Sequence, residues 1–183
     1  MRFAIGGESA VLTGRPGGTG EFLGRQEPCS PGSVCAVQRS RHRELAAFRI
    51  DPATGKLTHI NTVVAGADPA HISVDKGGKF LLTAYYVAGQ VTVHTIADDG
   101  SLSKQPKQTV KTREKAHAVV LDPRESAVLI PHTRPNVVYA LCWYRRSGEI
   151  ATPSIGSEIF EAPKNSGPRH LVFHPTLEIR GGP

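Results

Sequence analysis

Three short apolar runs along the chain are each headed by a histidine: Ala70-His71-Ile72-Ser73-Val74-Asp75, Ala116-His117-Ala118-Val119-Val120-Leu121-Asp122 and Arg169-His170-Leu171-Val172-Phe173-His174. The histidines stand 46 and 53 residues apart. A second element recurs in phase with the first. Phe48-Arg49-Ile50-Asp51 precedes Thr54-Gly55-Lys56-Leu57, Val93-His94-Thr95-Ile96 precedes Asp99-Gly100-Ser101-Leu102, and Trp143-Tyr144 precedes Ser147-Gly148-Glu149-Ile150. Their turn glycines fall 45 and 48 residues apart. A unit of that size cannot enclose its own apolar face, so successive units must stack. Within a unit, β-branched and aromatic runs alternate with Gly, Pro, Asp and Asn, which reads as a small antiparallel sheet. The best-defined unit has strands expected at 70–74, 80–85, 90–96 and 102–110, and the next begins at Ala116. No segment sustains a helical period of about 3.6. Four strands in about 40–50 residues are the dimensions of a propeller blade. The expected fold class is therefore all-β, a β-propeller of four-stranded antiparallel blades.

At this period the 183 residues hold fewer than four units, whereas propellers close with about four to eight. The expectation is an incomplete ring of about three to four blades, a piece of a longer ring, whose exposed blade edges invite self-association. Residues 1–33 do not repeat the unit, and Gly14-Arg15-Pro16-Gly17-Gly18-Thr19-Gly20 reads as irregular or flexible sequence. The expected division is an irregular N-terminal segment over 1–33 and a partial propeller over 34–183.

Composition agrees. Gly and Pro, at 19 and 14 residues, make up about 18% of the chain against a typical level of about 12%. No run approaches the ~20 apolar residues of a membrane span, and the N-terminus lacks a signal-peptide core. Cys29, Cys35 and Cys142 are odd in number and show no C-x-x-C spacing, so unpaired thiols of a cytoplasmic protein are expected rather than a disulfide framework or zinc site. Lys and Arg outnumber Asp and Glu by 22 to 16. Yet the positive charge is scattered apart from Lys104, Lys107, Lys111, Arg113 and Lys115, a run that reads as a solvated loop. With no interleaved aromatics, neither nucleic acid nor membrane is expected as a partner.

Equivalent strands of successive blades point equivalent side chains at the central axis. His71, His117 and the Arg169-His170 pair are thus expected to converge at one mouth of the channel, where imidazoles and a guanidinium suit an anionic substrate, a polarised carbonyl or a moving proton. The same spacing suits histidines that anchor hydrogen bonds between blades, and spacing alone leaves both roles open. Other chemistries lack their motifs. Ser9 in Gly7-Glu8-Ser9-Ala10-Val11 misses the second glycine of a nucleophile elbow. Gly18-Thr19-Gly20 is followed by Gly24, one residue late for G-x-G-x-x-G, and no Walker A or H-E-x-x-H pattern occurs. No metal site is expected. His42, His59 and His94 read as surface or strand residues.

At these positions the chain resembles the seven-bladed β-propeller lactonases, a family that includes bacterial 6-phosphogluconolactonases and fungal muconate-cyclising enzymes. The resemblance covers 34–179. It rests on Phe48-Arg49-Ile50-Asp51 with Thr54-Gly55-Lys56-Leu57, Asp68-Pro69-Ala70-His71, and Ala84-Tyr85-Tyr86 with Gly89-Gln90-Val91-Thr92-Val93. Further marks are Ala116-His117-Ala118-Val119, Pro131-His132-Thr133-Arg134-Pro135-Asn136-Val137-Val138-Tyr139 and Gly167-Pro168-Arg169-His170-Leu171-Val172-Phe173-His174-Pro175. Each is weak alone; their order and spacing are specific. The resemblance implies hydrolysis of a sugar-acid lactone, 6-phosphogluconolactone or a related gluconolactone, to the open-chain acid, with no cofactor and a small-molecule lactone as the partner. It implies His117 as acid or base and Arg169 as the group binding the oxyanion or an anion. His71, His132 and His170 become supporting substrate-binding candidates. Where relatives carry Asn the chain has Tyr85, and it stops before the strand on which they carry a Glu. A non-catalytic binding platform and a muconate-type cyclase are the alternatives.

Overall fold

The computed structural model describes residues 43–51, 53–153 and 158–173, together with the strand segments Leu12–Thr13, Glu21–Phe22 and Val34–Arg39. Every regular element among them is a strand: β1 Leu12–Thr13, β2 Glu21–Phe22, β3 Val34–Arg39, β4 Glu44–Ile50, β5 Leu57–Val64, β6 Pro69–Val74, β7 Phe80–Tyr85, β8 Gln90–Thr95, β9 Gln108–Lys111, β10 Val120–Leu121, β11 Ala127–His132, β12 Val137–Tyr144, β13 Glu149–Ile150 and β14 Glu158–Glu161. They form three sheets, ordered β2-β1-β3-β4-β5, β6-β7-β8-β9 and β10-β11-β12-β13, with β14 also on β12. The second sheet is a four-stranded antiparallel blade throughout. The first departs from that plan through a parallel β1–β3 pairing. In the third, the outer partner of β12 is divided between β13 at Trp143–Tyr144 and β14 at 137–140. Most of 1–33 lies outside the described residues; β1 and β2 are the parts described within it.

Alternation along β7 fixes how the sheets stack. All six of its residues are buried, as a strand with neighbours on both faces requires. Leu81 and Tyr85 join Leu45, Ala47 and Val63 of the first sheet. Phe80, Leu82 and Ala84 join Val128, Ile130, Tyr139 and Leu141 of the third. The strand period of two thus sends alternate side chains into two separate cores. Each fully buried Leu or Ile there stabilises the stack by about 1.5–3 kcal/mol.

The sequence repeats reappear as repeated physical devices. Asp75 accepts hydrogen bonds from Lys79 N at 2.8 Å and Phe80 N at 2.6 Å. Its counterpart Asp122 accepts from Ser126 N and Ala127 N, both at 2.6 Å. Each carboxylate closes the turn into the next strand. Between sheets the device is an amide latch. Asn61 Nδ2 donates to Leu102 O at 2.9 Å while its Oδ1 accepts from Leu102 N at 3.0 Å. Gln108 treats Ile150 in the same way, at 2.8 and 2.7 Å. Because Asn61 takes both backbone groups of Leu102, that residue makes only an isolated bridge to Ile96 and the last strand of the blade starts at Gln108, not at 102. Gly148 (φ +67) passes so close to the Phe80 ring that a Cβ would lie 2.1 Å from it.

No helix among the described residues is long and apolar enough to cross a membrane.

Candidate active site

Pro69 pairs with Tyr85, so β6 starts where β7 ends, at one end of the stack. A bulge between Pro69 and His71 interrupts the register there; such bulges re-aim side chains. His71 falls on the face of Ala84, toward the third sheet, and its Nδ1 accepts a hydrogen bond from Val119 N at 3.4 Å. With Nδ1 an acceptor, the proton of the neutral ring sits on Nε2. The same bond explains why 117–119 is not strand: Val119 gives its N–H to an imidazole instead of a ladder. The role of histidine as an inter-blade anchor is therefore observed at His71.

His117 is held by its neighbours' backbones. Its N–H donates to Pro131 O at 2.9 Å, and Ala116 bridges to His132. Before it, Thr112 N donates to Gly89 O and Lys115 N to Tyr86 O, at 2.9 and 2.8 Å, which fastens the 112–115 loop to the β7–β8 turn. A Cβ on Gly89 would lie 2.8 Å from Arg113 O, so this approach needs glycine. The Tyr86 and His117 rings meet edge to face at 5.7 Å, and the His117 and His170 rings at 5.1 Å.

Electrostatics bind the group together. Burial, then His170 and His117, push His71 down to about 4. Burial, then His170 and Arg169, hold His117 below the ordinary imidazole value. Both rings are neutral at pH 7, because burial and the neighbouring imidazoles and guanidinium disfavour a proton on either. His117 Nδ1 is enclosed without a hydrogen-bond partner, so on this half-buried ring Nε2 is the nitrogen open to a ligand. Arg169 and His170 are exposed. The structure thus brings together His71, His117, Arg169 and His170.

His132 lies apart from them. It is completely buried, donates from Nδ1 to Ile130 O at 2.8 Å and packs on Tyr139 at 4.9 Å. Its place on β11 gives it the alternation of Val128 and Ile130, which face the core between the second and third sheets. Burial chiefly, with Arg113 adding, pushes it down to about 4. Of the other histidines, His94 is buried on β8, His59 is exposed and packs on Phe48, and His42 lies outside the described residues.

Three residues at the cluster were not singled out as site residues from the sequence. Tyr86 faces His117; Thr133 Oγ1 donates to Tyr86 Oη at 3.1 Å; Lys115 Nζ sits 4.7 Å from the Tyr86 ring centroid. The signal for Tyr86 was its place just after a strand that ends beside His71. For Lys115 it was the basic run, of which Lys107 pairs with Glu149 at 3.6 Å and Lys111 bonds Gln90. No group of three or more His, Cys, Asp or Glu among the described residues is arranged to hold a metal ion.

Comparison with known proteins gives the arrangement a lineage. Residues 32–180 match the family model described as "Lactonase, 7-bladed beta-propeller". A 6-phosphogluconolactonase of Bacillus subtilis (strain 168) is 34% identical over 141 residues, covering 72% of this chain and 39% of the relative. One of Erwinia tasmaniensis is 31% identical over 131 residues, covering 72% and 38%. Among solved structures, a putative 6-phosphogluconolactonase of Bacteroides fragilis shares the fold with a TM-score of 0.66 at 20% identity, over 94% of this chain and 60% of that one. The periplasmic gluconolactonase of Pseudomonas aeruginosa gives 0.63 at 22% identity, over 90% and 47%. The chain spans about two fifths of the length of the curated relatives it matches. Three stacked sheets, histidines gathered at one end and a family match over most of its length make this chain a member of the seven-bladed β-propeller lactonase family.

Proposed function

We propose that this site hydrolyses the lactone of a sugar acid, with 6-phosphogluconolactone or a related gluconolactone as substrate. The observation that carries the reading is the convergence of His117 with His71, His170 and Arg169 at one end of the sheets. Its second support is the naming of the curated relatives as 6-phosphogluconolactonases.

In this mechanism neutral His117 takes a proton from water at Nε2 as the water oxygen bonds to the lactone carbonyl carbon. Arg169 neutralises the oxyanion, its planar fork being able to pair two oxygens. Collapse of the tetrahedral species breaks the bond from that carbon to the ring oxygen. The His117 proton then passes to the departing alkoxide, leaving carboxylic acid and alcohol. His71, a donor at Nε2, and His170 supply hydrogen bonds to the substrate. Lys115 on the Tyr86 ring supports an anionic substituent such as phosphate. His132 enters this scheme only through the core behind His117.

Purified protein should open δ-gluconolactone and its 6-phosphate faster than buffer. His117→Ala should lower the rate by about 10²-fold or more, and Arg169→Ala should also lower it. A wild-type rate equal to buffer, with the β-sheet circular dichroism intact, refutes hydrolysis; saturable binding without turnover would favour the binding platform.

Cytoplasmic action belongs to the same proposal and is supported by Cys142, a free and exposed thiol. Self-association through open edges is supported by Val64 on β5 and Phe160 on β14, 74% and 66% exposed.

A further inference from the structure

Arg169 and His170 stand on a segment, 162–173, that has no strand of its own. What aims them at His117 is therefore a question of what holds that segment. β14 runs along β12, so the chain leaves it at Ala162 beside the β11–β12 turn, and Ala162 N donates to Asn136 O at 2.9 Å. It then folds back, Ser166 N donating to Pro163 O at 3.0 Å, and departs toward Arg169 at Gly167 (φ +56).

The Asn136 side chain lies across this fold. Its Nδ2 donates to Ala162 O at 2.6 Å and also to Pro163 O. Its Oδ1 accepts from Ser166 Oγ at 3.1 Å and from Gly167 N at 2.8 Å. An amide has two N–H donors and two acceptor lone pairs; all four are engaged, on both arms of one fold. The residue itself is in the left-handed region, at φ +61, which Asn tolerates better than most side chains. The same hairpin also anchors the opposite side of the site. Pro131 O holds His117 N, and Thr133 Oγ1 holds Tyr86 Oη.

We infer that Asn136 is a positioning residue: by clamping both arms of the 162–167 fold to the β11–β12 hairpin that holds His117, it sets the distance between His117 and the Arg169-His170 pair. Its importance for turnover rests on the lactonase reading above; its importance for geometry does not. A displacement of about 1 Å at a reacting centre can lower a rate by about 10²-fold. The clamp is the local source of that precision, since Arg169 and His170 are exposed and receive little packing.

Asn136→Gly in the full chain is the direct test, because glycine keeps the backbone conformation and deletes all four bonds. Three readouts are taken on the same samples: melting temperature, the nuclear Overhauser effect between the His117 and His170 rings, and kcat and KM on δ-gluconolactone 6-phosphate. The expected result is loss of the inter-ring effect and a fall in kcat/KM of roughly 10- to 100-fold, mostly in kcat, with the β-sheet spectrum retained. The His117 ring should also titrate higher, since two of the groups that depress it have moved away. An inter-ring effect equal to wild type overturns the inference, and its loss with kcat/KM within twofold of wild type overturns its importance for turnover. If the glycine variant does not fold, Ser166→Ala removes one of the four bonds. A weakened inter-ring effect with a several-fold lower kcat/KM then supports the clamp, and no change in either overturns it. Were wild-type protein to open no lactone, the functional reading would fall while the inter-ring effect still decided whether Asn136 sets the geometry.

Discussion

His71 and His117 carry their protons differently from free imidazoles because burial and neighbouring positive groups disfavour the charged ring. For His117 the kinetic consequence has a definite sign. Its folded pKa is depressed, so the neutral, base-competent form is lost only as pH falls below 6.5. The pH profile of kcat/KM should rise through a midpoint below 6.5 and be level around pH 7, and the rising limb should vanish in His117→Ala. A midpoint at or above 6.5 in the wild type would contradict the geometry. Lys115 makes a second residue-scale prediction. Lys115→Ala should raise KM for the phosphorylated lactone by about tenfold while leaving δ-gluconolactone itself nearly unaffected, as expected for the removal of one charge-assisted contact. Equal effects on both substrates would remove Lys115 from substrate recognition.

Between neighbouring sheets, the amide latches and one close glycine hold the stack in register. Gln108→Ala leaves the N–H and C=O of Ile150 without their partners. The fully buried Ile150 side chain beside them is itself part of the core. Destabilisation of about 1–3 kcal/mol is expected in urea unfolding, and Asn61→Ala should behave alike through Leu102. Gly148→Ala should be at least as damaging, because its Cβ would overlap the Phe80 ring that packs on Trp143 at 5.8 Å and because φ +67 disfavours a side chain. These elements also show how far sequence patterning reached. Strand 80–85 was legible to the residue because a continuous apolar run lies between the turn glycines Gly77-Gly78 and Gly89. The start of β9 was not, since a side chain from the neighbouring sheet captures Leu102 and no local pattern encodes that capture.

For the molecule as a whole, three buried histidines link stability to pH. His71, His94 and His132 are each pushed down to about 4, burial being the largest cause. Below about pH 6.5 the unfolded chain takes up protons that the folded chain refuses until about pH 4. Stability should therefore be full above pH 6.5 and decline as pH falls toward 4, by up to about 1.4 kcal/mol per pH unit for each histidine. Urea midpoints at pH 7.5, 6 and 5 measure the slope; midpoints that do not move would mean that these rings are solvated. On the same scale, sedimentation velocity should show concentration-dependent association that weakens in Val64→Lys and Phe160→Lys, both on edge strands. A sedimentation coefficient independent of concentration would remove the open edges as a contact.

The repeat by itself determined the stack, because a histidine-headed apolar run and a turn glycine recurring at similar intervals call for successive sheets packed face to face. It also set His71 and His117 at the heads of neighbouring units, whereas His170, on a segment without a strand, reaches them through the 162–167 fold. Tertiary structure alone decided that His132 turns into the core while His117, whose main chain is held by Pro131 of β11, stays open. That choice depends on which sheet lies across each face. It alone revealed Tyr86 and Asn136 at the site, because their roles come from hydrogen bonds and ring contacts between segments roughly 26 to 47 residues apart, and a pattern read along one strand carries no information about what folds against it.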